Sequence, residues 1–498
     1  MVGTEGVARV RAVGDGHPRG LLTLWGVEMW ERFSFYGMRA ILVLFLAAPV
    51  EDGGLGLAPH IAAAVFGVYG ALVNLMALPG GWLADRLWGS HRAVVRGGVV
   101  ITAGHTVLAV PAGAASTYTG LALVAVGTGL LKPGISTLVG RLYDAEEDRE
   151  SGAARRDAGF SLFYMGISLG AFAAPLVTGF LGERVDWHAG FGAAAVGMLL
   201  GLLICVRGRD RLPGAADGPA RAASPAELRT PLLAVGGAMA LLAGASAVAV
   251  LWGQSPTQAV IQAVTLLTIA VPAAYFAVMF RAPDLEPVDR RRLVAYVWIF
   301  LAATVFWMIA EQGGSLISLF ARDHVDRTLF GWEFPTSWFQ SLGPLYSIVL
   351  ATAFAALWLR LGARQPSTAA KFALGLLGLG LATLIMAGAG WAAADGGRVT
   401  PLWLIVAFFV QIMAEMCLSP TGLSVTTRLA PTRFANQIMS LWFLSVALGS
   451  ALSAQVVRLS TVWSPGTYFT MLGAAALLCA AALGLARARL RRLMCGVD

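Results

Sequence analysis

Apolar stretches of about twenty residues, each long enough to cross a bilayer as a helix, recur along this chain with short polar interruptions. No other feature constrains the fold as strongly, because a crossing segment must satisfy its own backbone hydrogen bonds, and a helix does so unaided. Spans are expected at 22–48, 61–86, 93–113, 117–142, 158–182, 189–207, 231–252 and 257–280. Six more follow at 292–321, 337–361, 369–392, 401–428, 434–459 and 465–488. About fourteen crossings make an all-α membrane protein with both termini on one face. Only 13% of the residues are charged, against about a quarter in soluble domains, so no soluble domain is left over. Four scattered cysteines, Cys205, Cys417, Cys479 and Cys495, lack CxxC spacing and indicate neither a disulfide framework nor a metal site.

A net charge of +8 raises the question of a nucleic-acid partner. The arginines sit at the ends of apolar runs with no basic, aromatic-interleaved stripe, so the implied partner is the lipid bilayer and no nucleic acid is expected. With both termini cytoplasmic, 28 Lys and Arg fall inside, and only Arg184, Arg322, Arg327, Arg398 and Arg458 fall outside. That asymmetry follows the positive-inside rule and implies a multi-pass protein of the plasma (inner) membrane. The polar lead-in Met1–Leu21 lacks a cleavable signal pattern, so the first span is expected to remain as an anchor. The Gly-, Ala-, Pro- and Arg-rich stretch Arg207–Arg229 reads as a cytoplasmic linker.

The two halves echo each other. Leu131-Lys132-Pro133 to Arg141-Leu142 aligns without gaps to Leu418-Ser419-Pro420 to Arg428-Leu429. Ser161-Leu162-Phe163-Tyr164 through Leu169-Gly170 then matches Ser440-Leu441-Trp442-Phe443 through Leu448-Gly449. Six helices repeated in parallel describe the major facilitator fold, with a substrate site between the halves near the midplane. The expected organisation is an N-terminal six-helix bundle at 22–207, a linker with two inserted helices at 208–280, and a C-terminal six-helix bundle at 281–490.

A charge in mid-span costs roughly 2.5–3.5 kcal/mol on insertion scales, so each one needs a partner or a task. Glu28, Glu31, Arg32, Arg39, Lys132, Glu311 and Glu415 are such charges. In the first span Glu28, Glu31, Arg32, Phe35, Tyr36 and Arg39 fall within about 140° of the helix circumference. This stripe faces either a packing partner, as a purely structural ion-pair network, or a watered cavity. In the cavity, two carboxylates sharing one guanidinium would take up and release a proton on small rearrangements. Lys132 lies in a Gly-rich run followed by proline rather than Ser or Thr, which argues against a nucleotide site. Lys132 and Glu415 occupy equivalent helices, so a salt bridge between halves that yields to substrate or proton would couple binding to rocking. Gly80-Gly81-Trp82-Leu83-Ala84-Asp85-Arg86 with Arg92 is expected to form a tight turn latched by its charges. Pro133, Pro175 and Pro420 read as helix kinks. No HExxH, facing aspartate pair or Ser/His arrangement supports an enzyme, and no catalytic residue or cofactor is expected beyond protons as coupling ion.

Glu28-Met29-Trp30-Glu31-Arg32-Phe33-Ser34-Phe35-Tyr36-Gly37 resembles the ExxERFxYY signature of the proton-dependent oligopeptide transporter (POT) family. Phe163-Tyr164-Met165-Gly166-Ile167-Ser168-Leu169-Gly170 is similar to that family's FYxxINxG. Likeness extends from about Trp25 to Ala454. The resemblance implies a proton-coupled symporter importing di- or tripeptides, with Glu28, Glu31 and Arg32 coupling protons. It pairs Arg39 with Glu311 toward the outside and Lys132 with Glu415 toward the inside. Arg39 and Lys132 would receive the peptide carboxylate, Glu415 the amino group and Tyr36 a backbone group. Trp307, Trp338 and Trp442 would line side-chain pockets, and Asn74, Ser168 and Ser419 complete the implied substrate set. The family's usual tyrosines and asparagines are replaced by Phe35, Asn74, Ser168 and Gly343, which thins the polar clamp and admits modified peptides or other small zwitterions. A substrate-sensing receptor and a drug–proton antiporter on the same scaffold are the alternatives.

Overall fold

The structure, a computed structural model, describes residues 17–144, 152–212, 218, 224–283 and 285–497. Most of the polar lead-in and about half of the expected linker lie outside the described residues. The first six helices are α1 (Arg19–Ala47), α2 (Pro59–Leu83), α3 (Ser90–Leu108), α4 (Gly113–Asp144), α5 (Gly152–Arg184) and α6 (Trp187–Arg207). Two follow as α7 (Pro225–Leu251) and α8 (Pro256–Phe280). The ninth crossing is α9 (Pro287–Ala310), a 3₁₀ turn at Glu311–Gly314, and α10 (Leu316–His324). A 3₁₀ turn at Thr336–Ser341 opens α11 (Leu342–Leu361). Then come α12 (Thr368–Ala392), α13 (Leu402–Leu429), α14 (Ala435–Val456) and α15 (Pro465–Leu493).

Every expected span falls on one of these helices. Eleven are long and apolar enough to cross a membrane on composition alone. The other three are α1, α3 and α7. Helix α1 carries five charges, α3 carries His91, Arg92, Arg96 and His105, and in α7 the continuously described apolar stretch is Val235–Leu251. Helix starts follow local chemistry. Proline occupies the first turn of α2, α7, α8, α9 and α15, where its missing N–H is no loss. The Asp186 carboxylate accepts from the His188 and Ala189 amides to open α6.

Helices α1 to α6 pack on one another chiefly through α3 on α4, α1 on α5 and α6, and α2 on α4. Close approach of α3 and α4 requires glycine: a Cβ on Gly97 would lie 2.7 Å from the Gly127 carbonyl oxygen. In the second half α12 packs on α13 and α15, and α9 on α14. Helix α8 lies along α14 and α2, and α7 packs on α8.

The odd-numbered crossings α1, α3 and α5 run away from the face that holds the chain ends, here the terminal face, toward the opposite, distal face. Contacts between the halves gather on the distal side. Glu183 at the end of α5 accepts from the Thr336 amide (2.7 Å), the Ser337 amide (2.8 Å) and the Ser337 hydroxyl (2.6 Å). The Trp338 indole donates to the Leu176 carbonyl (3.1 Å) and the Ser341 hydroxyl to that of Phe172 (2.8 Å). Gly67 of α2 rests on Ser450 and Ala454 of α14. A distal hairpin, β1 (Thr328–Leu329) and β2 (Trp332–Glu333), presents Glu333 to Arg327 at 2.8 Å.

The turn after α2 differs from expectation. Ala84–Trp88 is a single π-helical turn closed by Gly89 at φ 77°. Asp85 is exposed and makes no ion pair among the described residues, so the expected charge latch is not formed; Arg96 instead lies over the Trp88 ring at 4.5 Å.

Candidate functional site

The polar stripe of α1 is buried. Four residues is one helical turn, which brings Glu28 under Arg32: Nε of Arg32 donates to Oε1 of Glu28 at 2.8 Å. Oε2 of Glu31 lies 2.9 Å from the same nitrogen but receives no directed hydrogen bond, and neither Glu31 oxygen has a hydrogen-bond partner. Glu31 is 0% exposed. One guanidinium therefore serves two carboxylates, one bonded and one held only by proximity.

One turn further on, the Phe35 ring separates two like charges. The Arg32 guanidinium stands 5.9 Å from its centroid and that of Arg39 5.6 Å. Arg39 also lies over Phe66 of α2 at 4.6 Å. Its Nη2 donates to Oε2 of Glu311 across the seam at 2.6 Å. Glu311 sits on the 3₁₀ turn that interrupts α9 and α10, so its carboxylate leaves the helix axis toward α1 and α2.

Lys132 and Glu415 extend the set without closing it. Lys132 on α4 and Glu415 on α13 are both half-buried. Among the described residues no ion pair joins Lys132 to Glu415, which corrects the expected salt bridge for this conformation. The cause is the arrangement of the halves. They meet on the distal side, and α4 and α13 make no extensive contact. Glu28, Glu31 and Arg32 thus form one cluster and Arg39–Glu311 a pair that crosses between halves, while Lys132 and Glu415 make no ion pair with either among the described residues.

The uncharged candidates are placed as follows. Tyr36 is half-buried beside Arg32 and Arg39. The Asn74 amide donates within its own helix to the Gly70 carbonyl at 3.0 Å. Ser168 is half-buried. Ser419 Oγ and Trp307 Nε1 are buried without a hydrogen-bond partner. Trp338 is taken up in the distal seam, stacked on Phe334 and bonded to α5. Trp442 is buried against Gly422 in the packing of α14 on α13. In this conformation those last two indoles contact protein rather than an open wall.

Sequence reasoning missed three residues here. Phe66 holds Arg39, Tyr69 is buried with an unpartnered hydroxyl beside Phe35, and Glu183 ties α5 to the turn before α11. The available signals were two aromatics three apart in the second span, Phe66 and Tyr69, and an acid just past the end of the fifth.

The POT family model matches residues 91–471. A Bacillus subtilis (strain 168) protein, the uncharacterized transporter YclF, is 42% identical over 484 residues, covering 97% of this chain and 96% of its own. A di-/tripeptide transporter of Lactococcus lactis subsp. cremoris is 40% identical over 468 residues, covering 92% and 93%. The crystal structure of a mutant peptide transporter POT in complex with alafosfalin is similar with a TM-score of 0.87 at 44% identity, covering 97% of this chain and 96% of that one.

Proposed function

The chain belongs to the POT family of transporters, and on that premise we propose that it is a proton-coupled symporter importing di- and tripeptides or related small zwitterions by alternating access. The di-/tripeptide and peptide transporters it is similar to support the class, and the chemistry of the seam supports the coupling. A peptide carries a carboxylate at one end and an ammonium at the other. Arg39 and Lys132 offer cations to the first, Glu415 an anion to the second, and Tyr36 a hydroxyl to the backbone between. Trp307, with Trp338 and Trp442 when the halves part, would bound the side-chain pockets, and Asn74, Ser168 and Ser419 the polar wall. Asn74 is bonded to its own helix, so the backbone clamp is sparse and the charged ends carry more of the recognition.

Glu28, Glu31 and Arg32 would carry the proton. Arg32 already favours Glu28, so a proton arriving on Glu31 neutralises the carboxylate left without a directed bond. Its release toward the terminal face restores the starting charge. The single observation behind this assignment is that the proton cluster and the interhalf pair Arg39–Glu311 flank one ring, Phe35. A change of charge on one side reaches the other through contact. The two six-helix halves would rock about the seam. The arginine-rich terminal face would be cytoplasmic, in a plasma (inner) membrane, with protons as the coupling ion.

Uptake of labelled dialanine into liposomes under an inward proton gradient tests this. Glu31→Gln is expected to abolish gradient-driven accumulation and to retain counterflow exchange. Undiminished accumulation by that variant would show the cluster misassigned.

A further inference from the structure

The break in the ninth crossing is held from several sides. At Ser315 the backbone turns to φ −119°, ψ −99°, interrupting the helical ladder between α9 and α10. Carbonyls released by such a break are costly at membrane depth unless protein groups satisfy them. Here they are satisfied. The Ala310 carbonyl accepts from Gln411 (3.4 Å), that of Glu311 from Ser315 Oγ (3.3 Å), and that of Gly313 from Gln340 Nε2 (2.7 Å) and Ser318 Oγ (3.1 Å).

Gln312 does something different. Its amide is 1% exposed and points away from the seam, into its own half. Nε2 donates to Ser453 Oγ of α14 at 2.7 Å and to the Met308 carbonyl at 3.4 Å, and Oε1 accepts from the Tyr468 hydroxyl of α15 at 3.2 Å. Its neighbour Glu311 points the other way, to Arg39. Two positions further on, Gly314 lacks the Cβ that would collide with Phe66, the ring on which Arg39 lies. Ser453 is also less than one turn from Ser450, which rests on Gly67 and Gly70 of α2. One buried side chain thus anchors the break to the helix that forms the seam, while the adjacent residue closes that seam.

We propose that Gln312 is a positioning residue for distal closure: by tying the Glu311–Gly314 turn to Ser453 and Tyr468, it fixes Glu311 where Arg39 meets it. This rests on Arg39–Glu311 being the distal closure of an alternating-access cycle. A glutamine that merely filled the core would affect stability when replaced but not the balance between closed and open distal states.

Spin labels at Val185→Cys and Val462→Cys, in protein with its four native cysteines replaced, read that balance by pulsed electron–electron distances. Both positions are exposed near the distal ends of opposite halves. Gln312→Leu, which keeps size and removes the amide, is expected to raise the population of wide distances at least threefold. Tyr468→Phe, which removes one oxygen from a fully buried ring, is expected to shift it in the same direction. Combined with Glu311→Gln, Gln312→Leu should add nothing, because both act on one pair. An unchanged distribution in Gln312→Leu, or widening that adds to that of Glu311→Gln, would overturn the proposal. If Gln312→Leu fails to fold, Tyr468→Phe decides: an unchanged distribution there overturns it equally. The measurement needs neither peptide nor gradient, so a folded protein that does not take up dialanine counts against the transport assignment and leaves this result standing.

Discussion

Arg39 and Glu311 meet at 2.6 Å across the seam between the two halves, with the guanidinium laid over Phe66 and both side chains mostly buried. Such a pair costs desolvation on both sides, and removing one partner strands the other charge, at about 3–5 kcal/mol. Arg39→Ala is therefore expected to lower the melting temperature in detergent more than the double variant Arg39→Ala/Glu311→Gln, which leaves no buried unpaired charge. A double variant less stable than the single would show that the pair is not electrostatically self-contained.

Glu183 is the second distal tie. Its carboxylate receives three hydrogen bonds from the turn before α11 and stands in for the cap that turn lacks within its own half. Hydrogen bonds to a charged acceptor contribute about 1.5–3 kcal/mol each, and all three are lost together. Thr336 is buried and its hydroxyl is unpartnered, so Thr336→Cys is a quiet probe beside the tie. In the Glu183→Ala background that cysteine is expected to react with a membrane-impermeant maleimide at least tenfold faster. Equal rates in both backgrounds would show that Glu183 does not hold the seam shut.

Much of this site was legible in the sequence because charge is rare inside a span. Glu28, Glu31, Arg32 and Arg39 announce themselves by standing in an apolar run, and one-turn spacing puts them on one stripe. The partner of Arg39 came from family resemblance, since nothing local in Trp307–Gln312 says which cation Glu311 faces. The break at 311–314 was not legible. Its Gly313-Gly314 pair sits inside a run apolar enough to read as one continuous crossing, 292–321, and the interruption is made tolerable by the side chains of Ser315, Ser318, Gln340 and Gln411, at the break, beyond it or distant in the chain. The Lys132–Glu415 pairing failed for another reason. Equivalence in a repeat says which helices face each other and not how far apart a given conformation holds them. Glu183, near a span boundary, looked like any charge marking the water.

Phe35 stands between two guanidinium groups, where the family resemblance leads one to expect tyrosine. Each cation–π contact contributes about 0.5–1 kcal/mol, more when desolvated, and truncating a buried phenylalanine costs about 3–5 kcal/mol through the cavity left. Phe35→Leu keeps most of the volume and loses the π face, so it should cost about 1–2 kcal/mol; Phe35→Ala should cost at least twice that. Unfolding in detergent by tryptophan fluorescence measures both. A loss for Phe35→Leu well below the about 0.5 kcal/mol of a single cation–π contact would mean that volume alone matters and that the ring does not mediate between Arg32 and Arg39.

Lys132 and Glu415 lie on equivalent helices, α4 and α13, that this conformation keeps apart. Closure of the terminal face would bring those helices together and offer each charge its opposite. Met165 reports on that face: it lies seven residues before Phe172 on α5, hence on the helix face that meets the segment leading into α11, and it is 49% exposed. Saturating dialanine at acidic pH is expected to slow maleimide labelling of Met165→Cys at least threefold. The same protection should persist with Lys132→Arg, which keeps the charge, and vanish with Lys132→Met. Protection by the methionine variant equal to that of the parent would mean that the terminal face closes without this pair, and that the coupling between halves resides at the distal seam.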